Sequence, residues 1–362
     1  MPKTVQVKPK KGDVLLLAGT MKGAFIFRSN KKRSKWEMGG PYFPGSSVYA
    51  MAYDGRRIWA GPSSMHFGAL LRSSADFGKT WTNPVEANVK FPATTDAALK
   101  NIWQIAVHDD GTMYAGVEPA ALFVSKDGGE SWKLNENLWN HPQRAKWVPG
   151  GGGLCLHSIL CDPEDQKRMR IAVSTAGMYV TEDGGKSWRP SNQGVRAVFL
   201  PNKYPEFGQC VHKVVQSKQD ANRMYLQNHW GLYRSDDRGE TWNDIANGVP
   251  SDFGFPIAIH PEDPDTAWIV PLEADMFRCT PEGKLRVYRT SDGGKNWKPM
   301  TKGLPQKDAY ECVVRDAMDA DTRGVYFGTR SGKVFASDDE GKSWSVVAET
   351  LPPVVKVKAA TV

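Results

Sequence analysis

Two short phrases in the chain join a thiol to an imidazole at the same spacing: Cys155-Leu156-His157 and Cys210-Val211-His212. Residues two apart on an extended strand share a side, so each phrase turns a sulfur and a ring nitrogen toward one space. Thiolate and imidazole are ligands for Zn²⁺ and related transition metals. His229, in Gln227-Asn228-His229-Trp230, offers a third imidazole, and Glu118 offers a carboxylate. The expected metal ligands are therefore His157, His212, His229, Cys155 and Cys210, and the expected cofactor is a divalent transition metal, Zn or Mn. Glu118, His157, His212 and His229 are the expected acid–base groups. Two other readings fit the same residues. The mouth could be a metal-free polar pocket, or the histidines could simply bond backbone groups, with Cys serving as a small buried residue.

Positioning such groups requires a repeated scaffold, and the sequence has one. The phrase Ser/Thr-x-Asp-x-Gly-x-x-Trp ends at Trp81, Trp132, Trp188, Trp242, Trp297 and Trp344, as in Ser125-Lys126-Asp127-Gly128-Gly129-Glu130-Ser131-Trp132. The period suits one four-stranded propeller blade per copy. Asp caps the local backbone of a tight turn, Gly takes positive φ, and Trp opens the next strand and tucks under the turn. The Asp is already used by the turn, so the phrase reads as a structural staple. Three strand-patterned runs precede each copy, beginning near residues 47, 102, 155, 210, 254 and 310. Residues 13–36 form a seventh unit with a degenerate box and no first strand, which the C-terminal Val354-Val355-Lys356-Val357-Lys358 run could supply. The expected fold is all-β: a seven-bladed β-propeller of four-stranded antiparallel blades, closed by the C-terminal strand so that no edge stays open. A six-bladed ring with 13–36 as a cap is the alternative. Residues 1–12 are expected to be a flexible N-terminal segment and 13–362 a single domain.

The six boxes resemble those of the Asp-box or BNR-repeat superfamily, and the resemblance covers nearly the whole chain. That group includes sialidases, sortilin-type receptors, some glycoside hydrolases and photosystem assembly factors. The resemblance implies the propeller fold and says little about activity. A sialidase would need a triad of arginines to clamp a carboxylate, an Asp acid, a Tyr–Glu pair and an Arg-Ile-Pro hallmark. Here the corresponding stretch is Phe27-Arg28-Ser29-Asn30, and no arginine triad is evident at the blade mouths. Arg330 and Arg144 are single candidates, and Tyr310-Glu311 has the right residue types.

Propeller topology assigns loops to faces. The start of each first strand and the loop between strands two and three share one mouth, and the Asp boxes lie on the opposite face. Four of the seven histidines (66, 157, 212 and 229) fall in these two sets, and His141 lies in a connecting loop on the same face. The expected ligand-binding residues at that mouth are Gln104, Arg144, Trp147, Trp230, Glu273, Glu311 and Arg330. Residues 135–153 and 195–209 are long connections of the sort that often carry function.

Bulk properties bound the partners. Of 362 residues 40% are apolar, enough for a large core, and the net charge of +7 sits partly in Lys3, Lys8, Lys10, Lys11, Lys356 and Lys358. Such runs are usually solvated, and no nucleic-acid motif accompanies them. No 18-residue apolar run is present, so membrane insertion is not expected. Five cysteines and no visible signal sequence favour a reducing, cytoplasmic setting. Two functions stay open. One is a sialidase- or glycosyl-hydrolase-like enzyme with a His/Glu/Cys-rich mouth, acting on a polar, carbohydrate-like ligand by hydrolysis or elimination, with or without a metal. The other is a non-catalytic binding or assembly module that recognises a protein or glycan partner.

Overall fold

The computed structural model describes residues 4–66, 68–84 and 86–362; Lys3 of the basic N-terminal segment lies outside them. Seven antiparallel sheets form the seven blades expected from the repeat. The strand Val354–Thr361 is innermost in blade 1, followed outward by Val14–Thr20, Gly23–Ser29 and Trp36–Tyr42. It pairs with Val14–Thr20 from Val14↔Thr361 to Thr20↔Val354, so the two ends of the chain close the ring. In blade 2 the third strand is broken into Gly68–Ala69 and Arg72–Ser74, both paired with Ile58–Ser64. Within the N-terminal segment, the Val5 N–H donates to the Gly40 carbonyl and Val7 is buried.

Each Asp box forms the same hydroxyl, carboxylate and glycine N–H network, whereas the partner of the Trp Nε1 differs, being Asn135 Oδ1 for Trp188 and the Ile245 carbonyl for Trp297. In blade 3, Asp127 Oδ1 accepts from the Ser125 hydroxyl and the Ser131 N–H, the Gly129 N–H donates to Ser125 Oγ, and Trp132 Nε1 donates to the Gly129 carbonyl. Gly129 sits at φ +87°, and an added Cβ would come within 2.4 Å of the Trp59 ring in the preceding blade. The box therefore needs glycine both for its turn and for its fit between blades. Blade 1 departs from this pattern in an informative way. Arg33 occupies the Gly position at φ 53°, and its side chain reaches blade 7 to pair with Asp321 at 2.7 Å and Tyr326 Oη at 2.7 Å. The degenerate box thus ties together the first and last blades.

The first strands share a second device. Register slips between Val48 and Met51, Ile102 and Gln104, Leu156 and Ser158, Val211 and Lys213, and Gly254 and Ile257. A bulge re-aims the side chain of its extra residue. Here the bulged segments hold Tyr49, Trp103, His157, His212 and Phe255, all at the same end of the ring.

Blade 7 begins later than its sequence suggests. Its first strand is Met318–Ala320, not a run from 310, and residues 309–314 pass as irregular chain before a bridge between Asp316 and Lys356. This brings Asp316 into the channel. Its buried carboxylate pairs with Lys213 from blade 5 and, at 3.6 Å, with Lys356 on the closing strand. These two ammonium groups hold the Asp316 carboxyl well below the usual carboxylate range against the opposing effect of burial. Removing one partner of a buried pair strands the other charges. We expect Asp316→Asn to lower unfolding stability by about 3–5 kcal/mol in urea titration, with Lys213→Met/Asp316→Leu/Lys356→Met recovering most of the loss. An unchanged midpoint in Asp316→Asn would contradict this role.

Candidate functional site

A cavity of about 700 Å³ opens at the mouth where the bulges lie. The starts of first strands contribute Tyr49, Trp103, Cys210, His212, Phe255 and Arg315; the second-to-third loops contribute Thr175, His229, Trp230, Asp275, Arg278 and Arg330. Asp316 forms part of the floor.

Two aromatic walls face the cavity. On one side Tyr49 and Trp103 pack with ring centres 4.3 Å apart, and the Arg315 guanidinium lies 5.2 Å from the Trp103 ring. Glu118 supports this wall from behind, where its Oε2 accepts from Trp103 Nε1 and Asn101 Nδ2, each at 3.2 Å. On the other side Trp230 packs against Phe199 at 5.0 Å and His229 at 4.2 Å, and Phe255 stacks on His212 at 4.4 Å. Arg278 stands 5.3 Å over Phe255, and its Nε donates to the Asp275 carbonyl.

Among the described residues, none of Arg278, Arg315 and Arg330 forms an ion pair with a carboxylate. Elsewhere arginines share acids: Arg168, Arg170 and Arg189 all meet Glu240. Sequence offers Arg330 and Arg144 only as single candidates; in the structure Arg278, Arg315 and Arg330 all line the cavity. Arg278 comes from residues 272–286, a long insertion where the other blades turn tightly. Arg315 was missed because blade 7 starts at Met318.

The histidines separate into two roles. His157 is fully buried outside the cavity, with Nε2 3.0 Å from the Val211 carbonyl and Nδ1 3.0 Å from Ser158 Oγ. His212, its counterpart one blade on, places Nδ1 2.6 Å from the Gly254 carbonyl. Each bulged imidazole thus clasps the first strand of the next blade, which explains why the phrase recurs. His157 has both nitrogens engaged and lies away from the cavity, so the metal and acid–base roles expected of it do not fit. Cys155 is buried against Arg315, whose Nη1 lies 3.3 Å from its sulfur, and does not line the cavity. His212 keeps Nε2 free of the clasp, 3.7 Å from Cys210 Sγ. His229 Nε2 lies 3.3 Å from Asp275 Oδ2, and the His229 N–H donates to the Cys210 carbonyl.

The other expected ligand residues scatter. Trp230 and Arg330 line the cavity. Arg144 donates to the Ala120 carbonyl and lies 3.7 Å over the Trp139 ring, while Trp147 is buried with Nε1 on Tyr179 Oη. The first part of that long connection packs its own aromatics, while its end, Val148 to Gly152, lines the cavity. Gln104 faces the channel from the opposite side, beside Lys356. Glu273 is exposed outside the cavity. Glu311 is buried under the Ser331 hydroxyl and the Lys333 ammonium, because the irregular chain before blade 7 turns it away from the mouth.

Burial holds His157 and His212 well below the ordinary histidine range, and nearby Arg315 adds to the effect in both. A histidine lowered this way stabilises the fold only while neutral. Its contribution is complete above the unfolded-state value near pH 6.5 and is lost as pH falls below it, since the unfolded chain then takes up protons that the folded chain does not. Lowering pH from about 7.5 to about 5.5 should therefore lower stability by up to roughly 3 kcal/mol through these two groups, read from urea midpoints. His157→Gln should halve that difference; an equal pH response in the variant would contradict the assignment.

Fold and boxes together define an Asp-box β-propeller of glycosyl-hydrolase-like and sortilin-like architecture. Residues 178–303 match the family model described as Sortilin, neurotensin receptor 3. The chain is 26% identical over 219 residues to an oligoxyloglucan-reducing end-specific xyloglucanase from Emericella nidulans, a match covering 52% of this chain and 26% of that protein. It thus spans only about a quarter of that relative's length. Among solved structures, an ancestral GH74 enzyme aligns with a TM-score of 0.55 at 19% identity, over 83% of this chain and 38% of the other. YCF48 bound to D1 peptide aligns with a TM-score of 0.54 at 14% identity, over 95% and 88%.

Proposed function

We propose that the mouth cavity binds an acidic saccharide and that the chain is a glycan-directed propeller. The observation carrying this reading is the convergence of Arg278, Arg315 and Arg330, without carboxylate partners among the described residues, between two aromatic walls. Guanidinium groups bind carboxylates through charge-assisted, often bidentate hydrogen bonds. Aromatic faces such as Trp103 and Trp230 suit the apolar face of a sugar ring and leave its hydroxyls to polar neighbours such as Ser174, Thr175 and Asp275. The similarity to a xyloglucanase supports a glycan as ligand, while the arginines favour one bearing carboxylates. Glu118 would act by holding Trp103, not as a base.

A second reading rests on the rim, where Val148, Phe199, Met276 and Phe277 are exposed. An acidic peptide could lay apolar side chains there and its carboxylates on the same arginines.

Isothermal titration with a short oligogalacturonate, its methyl ester, a neutral xyloglucan oligosaccharide and an acidic peptide separates these readings. The acid should bind and the ester should not. Arg278→Gln and Arg330→Gln, both at exposed positions, should each weaken binding by about 1.5–3 kcal/mol, at least tenfold. Equal binding of acid and ester, or tighter binding of the neutral sugar, would overturn the acidic-saccharide reading. Binding of the peptide alone would favour the second.

A further inference from the structure

We propose that Cys210, His212 and His229 form a transition-metal site of the Zn²⁺ class in the wall of this cavity, with one coordination position open to it. The donors are a sulfur and two imidazoles, one atom from each lying within 4.8 Å of the others. In tetrahedral zinc sites with bonds of about 2.0–2.3 Å, donor atoms stand roughly 3.5 Å apart. The 3.7 Å between Cys210 Sγ and His212 Nε2 matches that spacing without rearrangement.

The backbone prepares the donors. The Gly254 carbonyl fixes the proton of His212 on Nδ1, which leaves the Nε2 lone pair directed at the cluster. This is the outer bond that metal-bound histidines commonly make, and it orients the ring. Cys210 directly precedes the first strand of blade 5 and His229 directly follows the second, and the bond from the His229 N–H to the Cys210 carbonyl joins them. The clasp at His157 shows what the same phrase does without a site, because both of its nitrogens are used.

Charge acts on the site in both directions. Arg278 and Arg315 lie near the cluster and oppose a bound cation. A Cys210 thiolate and the Asp275 carboxylate, 3.3 Å from His229 Nε2, supply two negative charges to set against a divalent ion. All three donors line the cavity, so a fourth position faces the space assigned to ligand. Three protein donors and an open position characterise metals that activate water or polarise a bound oxygen. The metal site stands on its own geometry and does not depend on which ligand the cavity takes.

The test is a Co²⁺ titration of the full-length, untagged protein, stripped with chelator and kept reduced, followed by its absorption spectrum. One Co²⁺ per chain should bind with a thiolate-to-cobalt charge-transfer band and tetrahedral d–d bands, and Zn²⁺ should displace it. Cys210→Ser should abolish the charge-transfer band, whereas Cys155→Ser should keep it. Should Cys210→Ser fail to fold, Asp275→Asn at the exposed rim provides the second arm, with a 10- to 100-fold loss of affinity expected. No cobalt–thiolate band in the wild type would overturn the site and leave His212 as an inter-blade clasp only. A band lost equally in Cys155→Ser, or an unchanged affinity in Asp275→Asn, would overturn the assignment of these residues.

Discussion

The pairing of Val354–Thr361 with Val14–Thr20 is the constraint on which the ring depends. Without it blade 1 lacks an inner strand and presents an open sheet edge. The same strand carries Lys356 into the channel, where it meets Asp316, and Lys213 meets that carboxylate from another blade. Closure of the ring and closure of the cavity floor are therefore one event. Arg315, next in the chain to Asp316, owes its place against Trp103 to the same bridge.

Above this floor, bulges in the first strands decide what the mouth presents. Five of them put Tyr49, Trp103, His157, His212 and Phe255 at equivalent places, yet their side chains differ in fate. Four reach the cavity, while His157 is enclosed between blades. The scaffold thus supplies repeated positions, and local partners decide which become available to a ligand.

The fold was legible because its signals are local and repeated. Asp127 and its equivalents bond within eight residues, so their network follows from sequence spacing alone. The missing first strand near Val14 and the spare strand at Val354 likewise pointed to each other. The face carrying the site followed from topology, and Cys210, His212, His229, Trp230 and Arg330 do meet there. What sequence could not decide was the partner of each nitrogen: His157 and His212 occupy identical phrases, and only Ser158 Oγ and the surrounding packing distinguish them. Arg144 misled for a similar reason, since a cation among tryptophans reads alike whether it faces ligand or packs on Trp139. Arg278 was hidden in an insertion that breaks the repeat, and Arg315 in irregular chain that resembled a strand.

These features make the mouth a place where arginines without carboxylate partners among the described residues, aromatic surface and a Cys–His cluster share one space, on a fold that itself says little about function. The most direct test is a crystal structure of the protein soaked with a uronic acid. The sugar carboxylate should lie about 2.7–2.9 Å from guanidinium nitrogens of at least two of Arg278, Arg315 and Arg330, with its ring against Trp103 or Trp230. A uronate bound elsewhere, or seated with its carboxylate turned away from all three arginines, would contradict the account.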